Sequence, residues 1–141
     1  MLKLAFALTL AATPLAAQEV ITTPFDGAFA DATFALENAI ISEGLVVDHI
    51  SHVGEMLNRT MADVGSDVTI FDAADVYQFC SATTSREVME ADPLNIAYCP
   101  YGIFVFEKDG AVTMGYRTYP EGPMDAVEDL LARIVAAATE F

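Results

Sequence analysis

The strongest folding constraint in this chain is a long strand-like run, residues 96–107, followed at once by a turn signal and a second strand-like run. Only Pro100 and Gly102 interrupt the first run, and they mark a bend or bulge, because proline cannot donate to a central ladder. Lys108-Asp109-Gly110 supplies the turn, with Gly110 free to take positive φ. Residues 112–119 return as the partner strand. Alternation separates Phe104 and Phe106 from Ile103 and Val105, so one set enters a core and the other does not. Such a hairpin needs helices or further strands to cover its apolar side.

The rest of the chain offers those elements. Residues 19–25 suit a strand, and Asp26 is placed to cap a helix whose stripe is Phe29, Thr33, Leu36 and Ile40, with Ile41 beside it. Gly44 stands where a left-handed residue would stop that helix. Residues 45–53 read as a strand and residues 54–64 as a short helix carrying Met56, Leu57 and Met61. An extended piece at 68–71, a turn at 72–75 and a strand at 76–81 follow. A helix over 84–91, capped by Thr83 or Thr84, is stopped by Asp92-Pro93. The final element, 124–141, turns Met124, Val127, Leu130, Leu131, Ile134 and Val135 inward and holds Asp125, Glu128 and Asp129 at its positive end. Two strand-helix beginnings, a hairpin and a terminal helix predict an α+β domain, with helices on one face of a mainly antiparallel sheet.

At the amino terminus, Lys3, an apolar run from Leu4 and the small residues before Gln18 have the form of a signal peptide spanning 1–17. The competing reading is a retained anchor. Thr9, Thr13 and Pro14 interrupt the run, which falls short of the roughly 20 residues a spanning helix needs. Without the leader, residues 18–141 are of ordinary size for one domain, and no stable membrane insertion is expected. They carry five basic residues against 21 acidic ones, a formal charge of −16. That charge repels nucleic acid, which is excluded as a partner, and disfavours an anionic bilayer surface. Export implies a periplasmic or secreted location and an oxidising environment.

Cys80 and Cys99 fall at two strand ends separated by one helical connection, so a neighbouring-strand crossing could bring them together as a disulfide. A reversible redox pair is the alternative, although the spacing of nineteen is unlike that of helix-start dithiols. His49 and His52 lie three apart on an expected strand and point to opposite faces unless a turn intervenes. With such a turn, His49, His52 and Met56 are candidates for a soft metal site suited to copper or haem iron. No cofactor is otherwise expected. Covalent c-type haem attachment is excluded, because no Cys-x-x-Cys-His occurs. There is no Gly-x-Ser-x-Gly elbow, and the abundant carboxylates nominate no particular pair. Tyr98, Tyr101, Tyr116 and Arg117 are candidates for a ligand pocket, with a core or dimer seam as the alternative reading.

Three segments in combination, Phe79-Cys80-Ser81, Met89-Glu90-Ala91-Asp92-Pro93 and residues 96–103, resemble the domain of unknown function 302 family, and most nearly its secreted members. The resemblance covers residues 25–119. It implies a TATA-box-binding-protein-like arrangement of the β-α-β(4)-α type that forms homodimers, and it implies no established reaction. Three functional classes therefore stand side by side. The first is an exported accessory domain that binds a small molecule or an envelope protein and is tied to an envelope redox system. The second is a thiol- or metal/haem-dependent redox enzyme, and the third is a structural dimerisation domain.

Overall fold

A computed structural model describes residues 19–140; the expected leader at 1–17 lies outside them. In chain order the elements are β1 (Val20–Phe25), α1 (Phe29–Ser42), β2 (His49–Ser51), α2 (Val53–Thr60) and β3 (Ala73–Phe79). These are followed by α3 (Ala82–Ala91), a 3-10 turn (Pro93–Tyr98), β4 (Tyr101–Lys108), β5 (Ala111–Arg117) and α4 (Asp125–Thr139). The five strands form one sheet in the order β1-β5-β4-β3-β2, with every neighbouring pair antiparallel. This is the α+β architecture expected, with α2 and α3 inserted between strands of the β(4) run.

The β4–β5 hairpin turns on Asp109 (φ 53°) and Gly110 (φ 76°). Two consecutive positive φ values are the signature of a type I′ turn, whose twist matches that of the flanking strands. Register then assigns the faces. Phe79 opposes Tyr101, Tyr77 opposes Ile103, and Val105 opposes both Asp75 and Met114. Ile103, Val105 and Met114 are fully buried. Helices α1 and α4 pack on each other and on this face. All six residues expected on the inner side of α4 are buried there. The α1 stripe is built from Ala32, Ala35, Leu36, Ala39 and Ile40, whereas Ile41 is exposed. The three small alanines of this stripe leave room for α1 to pack against α4. Gly44, at φ 76°, ends α1 as expected.

Several local expectations are overturned by tertiary partners. Asp26 does not cap α1: the cap residue is Ala28, whose N–H donates to the Asp31 carboxylate at 3.4 Å. The expected strand at 45–53 is reduced to His49–Ser51, and on its carboxyl side α2 begins at Val53 and packs beside β3. Gly54 permits that approach, since a Cβ there would overlap the Ala74 backbone nitrogen. Residues 68–71 form no strand, and of the turn expected at 72–75 residues 73–75 are instead the start of β3, recruited by pairing with Glu107, Phe106 and Val105. Ser81 caps α3 by accepting the Thr84 N–H at 3.2 Å, in place of Thr83 or Thr84. The strand-like residues 96–98 belong to the 3-10 turn. Asp92 accepts the Leu94 N–H at 2.9 Å, Pro93 opens the turn, and Asn95 donates to the Val88 carbonyl at 2.8 Å. These hydrogen bonds are local, and they outweigh the β propensity of the run.

Candidate functional site

The cysteine end of the sheet is assembled by β3, α3 and the 3-10 turn. Because Phe79 opposes Tyr101, the chain segments leaving β3 and entering β4 lie side by side, and Cys80 and Cys99 meet across them as a disulfide. Their Cα atoms are 6.6 Å apart, within the range a disulfide spans. Next to this linkage Tyr119 is the hub of an aromatic cluster. Its ring meets Tyr98 edge-on at 5.7 Å and Tyr101 at 6.3 Å. The Arg117 guanidinium lies over the Tyr119 and Tyr98 rings at 5.1 and 5.7 Å, a placement that favours the cation through the ring quadrupole. Tyr101 shares a hydrogen bond of 3.1 Å with Ser85. The Tyr119 hydroxyl is buried with no hydrogen-bond partner.

Of the four residues grouped from sequence as a pocket, Tyr98, Tyr101 and Arg117 therefore gather around Tyr119. Tyr116 lies elsewhere, opposite Ile21 on the helix-covered face of the sheet. The strand period separates it from Arg117, its immediate neighbour. Tyr119 joins the others because the chain leaves β5 after Arg117 and turns inward, where the Tyr119 N–H donates to Glu128 of α4 at 2.6 Å.

The two histidines do not converge. His49 is exposed and paired with Gln78, on the sheet face away from the helices. His52 ends the link between β2 and α2, and its Nδ1 is 2.8 Å from the Asp75 carboxylate. Asp75 was hidden from sequence reasoning by its expected place in a turn; pairing with β4 turns its side chain toward the helix-covered face, beside Tyr77. In this contact the ring Nδ1–H donates, because a carboxylate oxygen accepts. Met56 follows one turn later: its N–H donates to the His52 carbonyl at 3.1 Å, and its sulfur lies 3.9 Å from the Thr60 hydroxyl. Among the described residues no group of three or more His, Cys, Asp and Glu side chains is arranged to hold a metal ion.

On the face away from the helices the sheet carries an aromatic row. Phe104 and Phe106 stack at 6.1 Å, and Phe71 adds to the row at 5.2 Å from Phe106. Gly115 leaves room for the Phe104 ring, since a Cβ there would collide with it and with the Ile21 carbonyl. None of these three rings packs against the buried core on the other side.

Comparison with known proteins follows the same outline. The family model described as "Domain of unknown function DUF302" matches residues 21–140. The chain belongs to the DUF302 family. A crystal structure of an uncharacterised conserved DUF302 protein from Bacillus stearothermophilus is similar, with a TM-score of 0.68 and 17% sequence identity. The match covers 86% of this chain and 95% of that one, and at this identity it speaks for the fold alone. No curated protein matches. The DUF302 matches thus agree with the sheet and helices described above and assign no reaction.

Three tyrosines of this DUF302 domain predict its alkaline limit. Burial is the main cause that pushes the Tyr77, Tyr116 and Tyr119 phenols above their ordinary value of 10.0. Nearby carboxylates add to this at Tyr77 and Tyr116, whereas Arg117 partly opposes it at Tyr119. A raised folded-state pKa means that the folded protein holds its phenolic protons more tightly than the unfolded chain does. The stabilisation is complete below the unfolded value and is lost as pH climbs from there through the folded values. A spectrophotometric titration at 295 nm should therefore show Tyr77, Tyr116 and Tyr119 ionising above the ordinary phenol range, together with loss of the far-ultraviolet dichroism.

Proposed function

We propose that this DUF302 domain is an exported binding and accessory domain that works as a two-fold dimer, formed by packing the open faces of two sheets against each other. One observation carries the reading: the strand positions that register places on the open face include no carboxylate, in a chain that has 21. Register places Phe104 with Gly115 and Val76, Phe106 with Thr113 and Ala74, and Gln78 with Gly102 and His49 on that face. Its only Lys and Arg positions are Lys108 and Arg117, near opposite ends of the hairpin. Between two copies of so acidic a chain, a face whose strands carry no carboxylate offers an approach with little charge repulsion.

The dimensions suit the same reading. Five strands of three to eight residues, rising about 3.3 Å per residue in rows about 4.8 Å apart, give a face of roughly 450 Å². Two such faces, with the relief of the phenylalanine rings, reach about the 1,000 Å² that a specific interface needs. Sheets stacked in this way sit about 10 Å apart, with side chains interdigitating. The amino-terminal leader supports export to a periplasmic or secreted location, where the Cys80–Cys99 pair would persist oxidised. The closer placement among secreted members with a TATA-box-binding-protein-like fold belongs to the same reading.

Light scattering coupled to gel filtration tests it. The mature protein is expected at twice its chain mass, and Phe106→Glu at one chain mass with unchanged far-ultraviolet dichroism, because each dimer would bury two carboxylates in the seam. Raising salt should tighten the unmodified dimer by screening its net charge. A monomeric mature protein, or a Phe106→Glu variant that still dimerises, would overturn the proposal.

A further inference from the structure

A second surface lies on the other side of the sheet, at its β1 edge. Helix α4 crosses β1 and β5 there without filling the space beneath its carboxyl-terminal half, and a trough of about 330 Å³ remains. At ~30 Å³ per liquid water this is the room of roughly eleven waters, at the small end of ligand pockets. Its floor is Ile21, Thr23 and the Tyr116 ring, and its wall is Ala132, Val135 and Ala136. The trough is open because α4 presents alanines at 132 and 136, one turn apart, where longer side chains would close it. Thr139 and Glu140 form its end.

The charges around this trough have one sign. Glu140 lines it, and no lysine, arginine or histidine does. Glu128 and Asp129 are close enough to the Tyr116 phenol to raise its pKa further, after the effect of burial. The carboxyl end of α4, where backbone carbonyls carry the negative end of the helix dipole, points at the same place. Thr139 donates its hydroxyl proton to the Val135 carbonyl at 2.9 Å, which leaves its oxygen lone pairs available. An apolar floor and wall with acceptors at the end select against a carboxylate or phosphate ligand, and a purely apolar ligand would leave those acceptors unused.

We infer that the trough between β1 and the carboxyl-terminal half of α4 is a binding site for a small amphiphilic organic cation. The ligand would be an amine on an apolar body of about ten heavy atoms. The body lies between Ile21 and the two alanines, and the ammonium group reaches Glu140 and the last carbonyls of α4. This site is on the opposite face of the sheet from the dimer seam proposed above, so neither proposal depends on the other.

Calorimetric titration of the mature protein with n-octylamine, and separately with n-octanoate, separates the cation from its isosteric anion. One octylamine per chain is expected, with octanoate binding at least about tenfold more weakly. Ala136→Phe should fill the trough and lower octylamine affinity by about tenfold or more, while Phe106→Glu should leave it unchanged. Ala136 is exposed on α4; Ala132→Phe, at a second exposed position, serves if the first variant fails to fold. Amide shift mapping with octylamine should move the resonances of Tyr116, Ala132 and Ala136. Equal affinity for octanoate, absence of saturable binding, shifts confined to other regions, or binding that survives both phenylalanine variants would each overturn the assignment.

Discussion

Phe79→Ala is expected to cost about 3–5 kcal/mol of folding stability and to lower the thermal midpoint by more than about 10 °C. Phe79 is fully buried at the end of β3, opposite Tyr101, which is also fully buried. The deletion removes a large apolar side chain and leaves a cavity that the sheet cannot close. Backbone pairing holds β3 to β4 from Ala73 through Phe79, and the disulfide tethers the segments just beyond that end. Urea denaturation followed by circular dichroism would measure the loss. A cost below about 1 kcal/mol would mean that this end of the core collapses freely, contrary to the packing described.

Replacing both cysteines, Cys80→Ser with Cys99→Ser, is expected to cost about 3 kcal/mol in the chain-entropy account of a loop of this length. Their sequence separation is 19, and the closed segment contains α3 and the 3-10 turn. Most of the effect comes from the unfolded chain, which loses a constraint, so the denaturant slope should rise as the midpoint falls. Treating the unmodified protein with dithiothreitol should reproduce the change. If neither treatment shifts the midpoint, the pair contributes nothing to folding. Because Phe79 adjoins Cys80, the combined variant should deviate from the sum of the two losses, which a double-mutant cycle would record.

The hairpin was legible because its determinants are local. Alternation over 103–106 and the Asp109-Gly110 turn state both the strands and their register. The inner face of α4 was legible for the same reason, since a 3.6-residue period over fifteen residues leaves one way to bury Leu130, Leu131 and Ile134. β3 was not legible at its start, where Ala73, Ala74 and Asp75 carry little strand preference and pair only because β4 offers them hydrogen bonds. The converse holds for residues 96–98, where apolar and aromatic side chains suggest a strand but Asp92, Pro93 and Asn95 wind the backbone into a 3-10 turn. The candidate sites follow the same division. The pairing of Cys80 with Cys99 could be suggested from strand ends, whereas the partner of His52 could not be, because Asp75 is 23 residues away along the chain.

From the order of its residues alone this protein is committed to an acidic α+β domain, with a tight hairpin, a buried carboxyl-terminal helix and family membership legible in short motifs. Periodicity, turn chemistry and charge act between near neighbours and survive in one dimension. Tertiary structure alone decided that Tyr119 gathers Tyr98, Tyr101 and Arg117 around itself, and that Phe104 and Phe106 face away from the core. Those outcomes depend on which strands become neighbours and which face the helices cover, and long-range packing settles both.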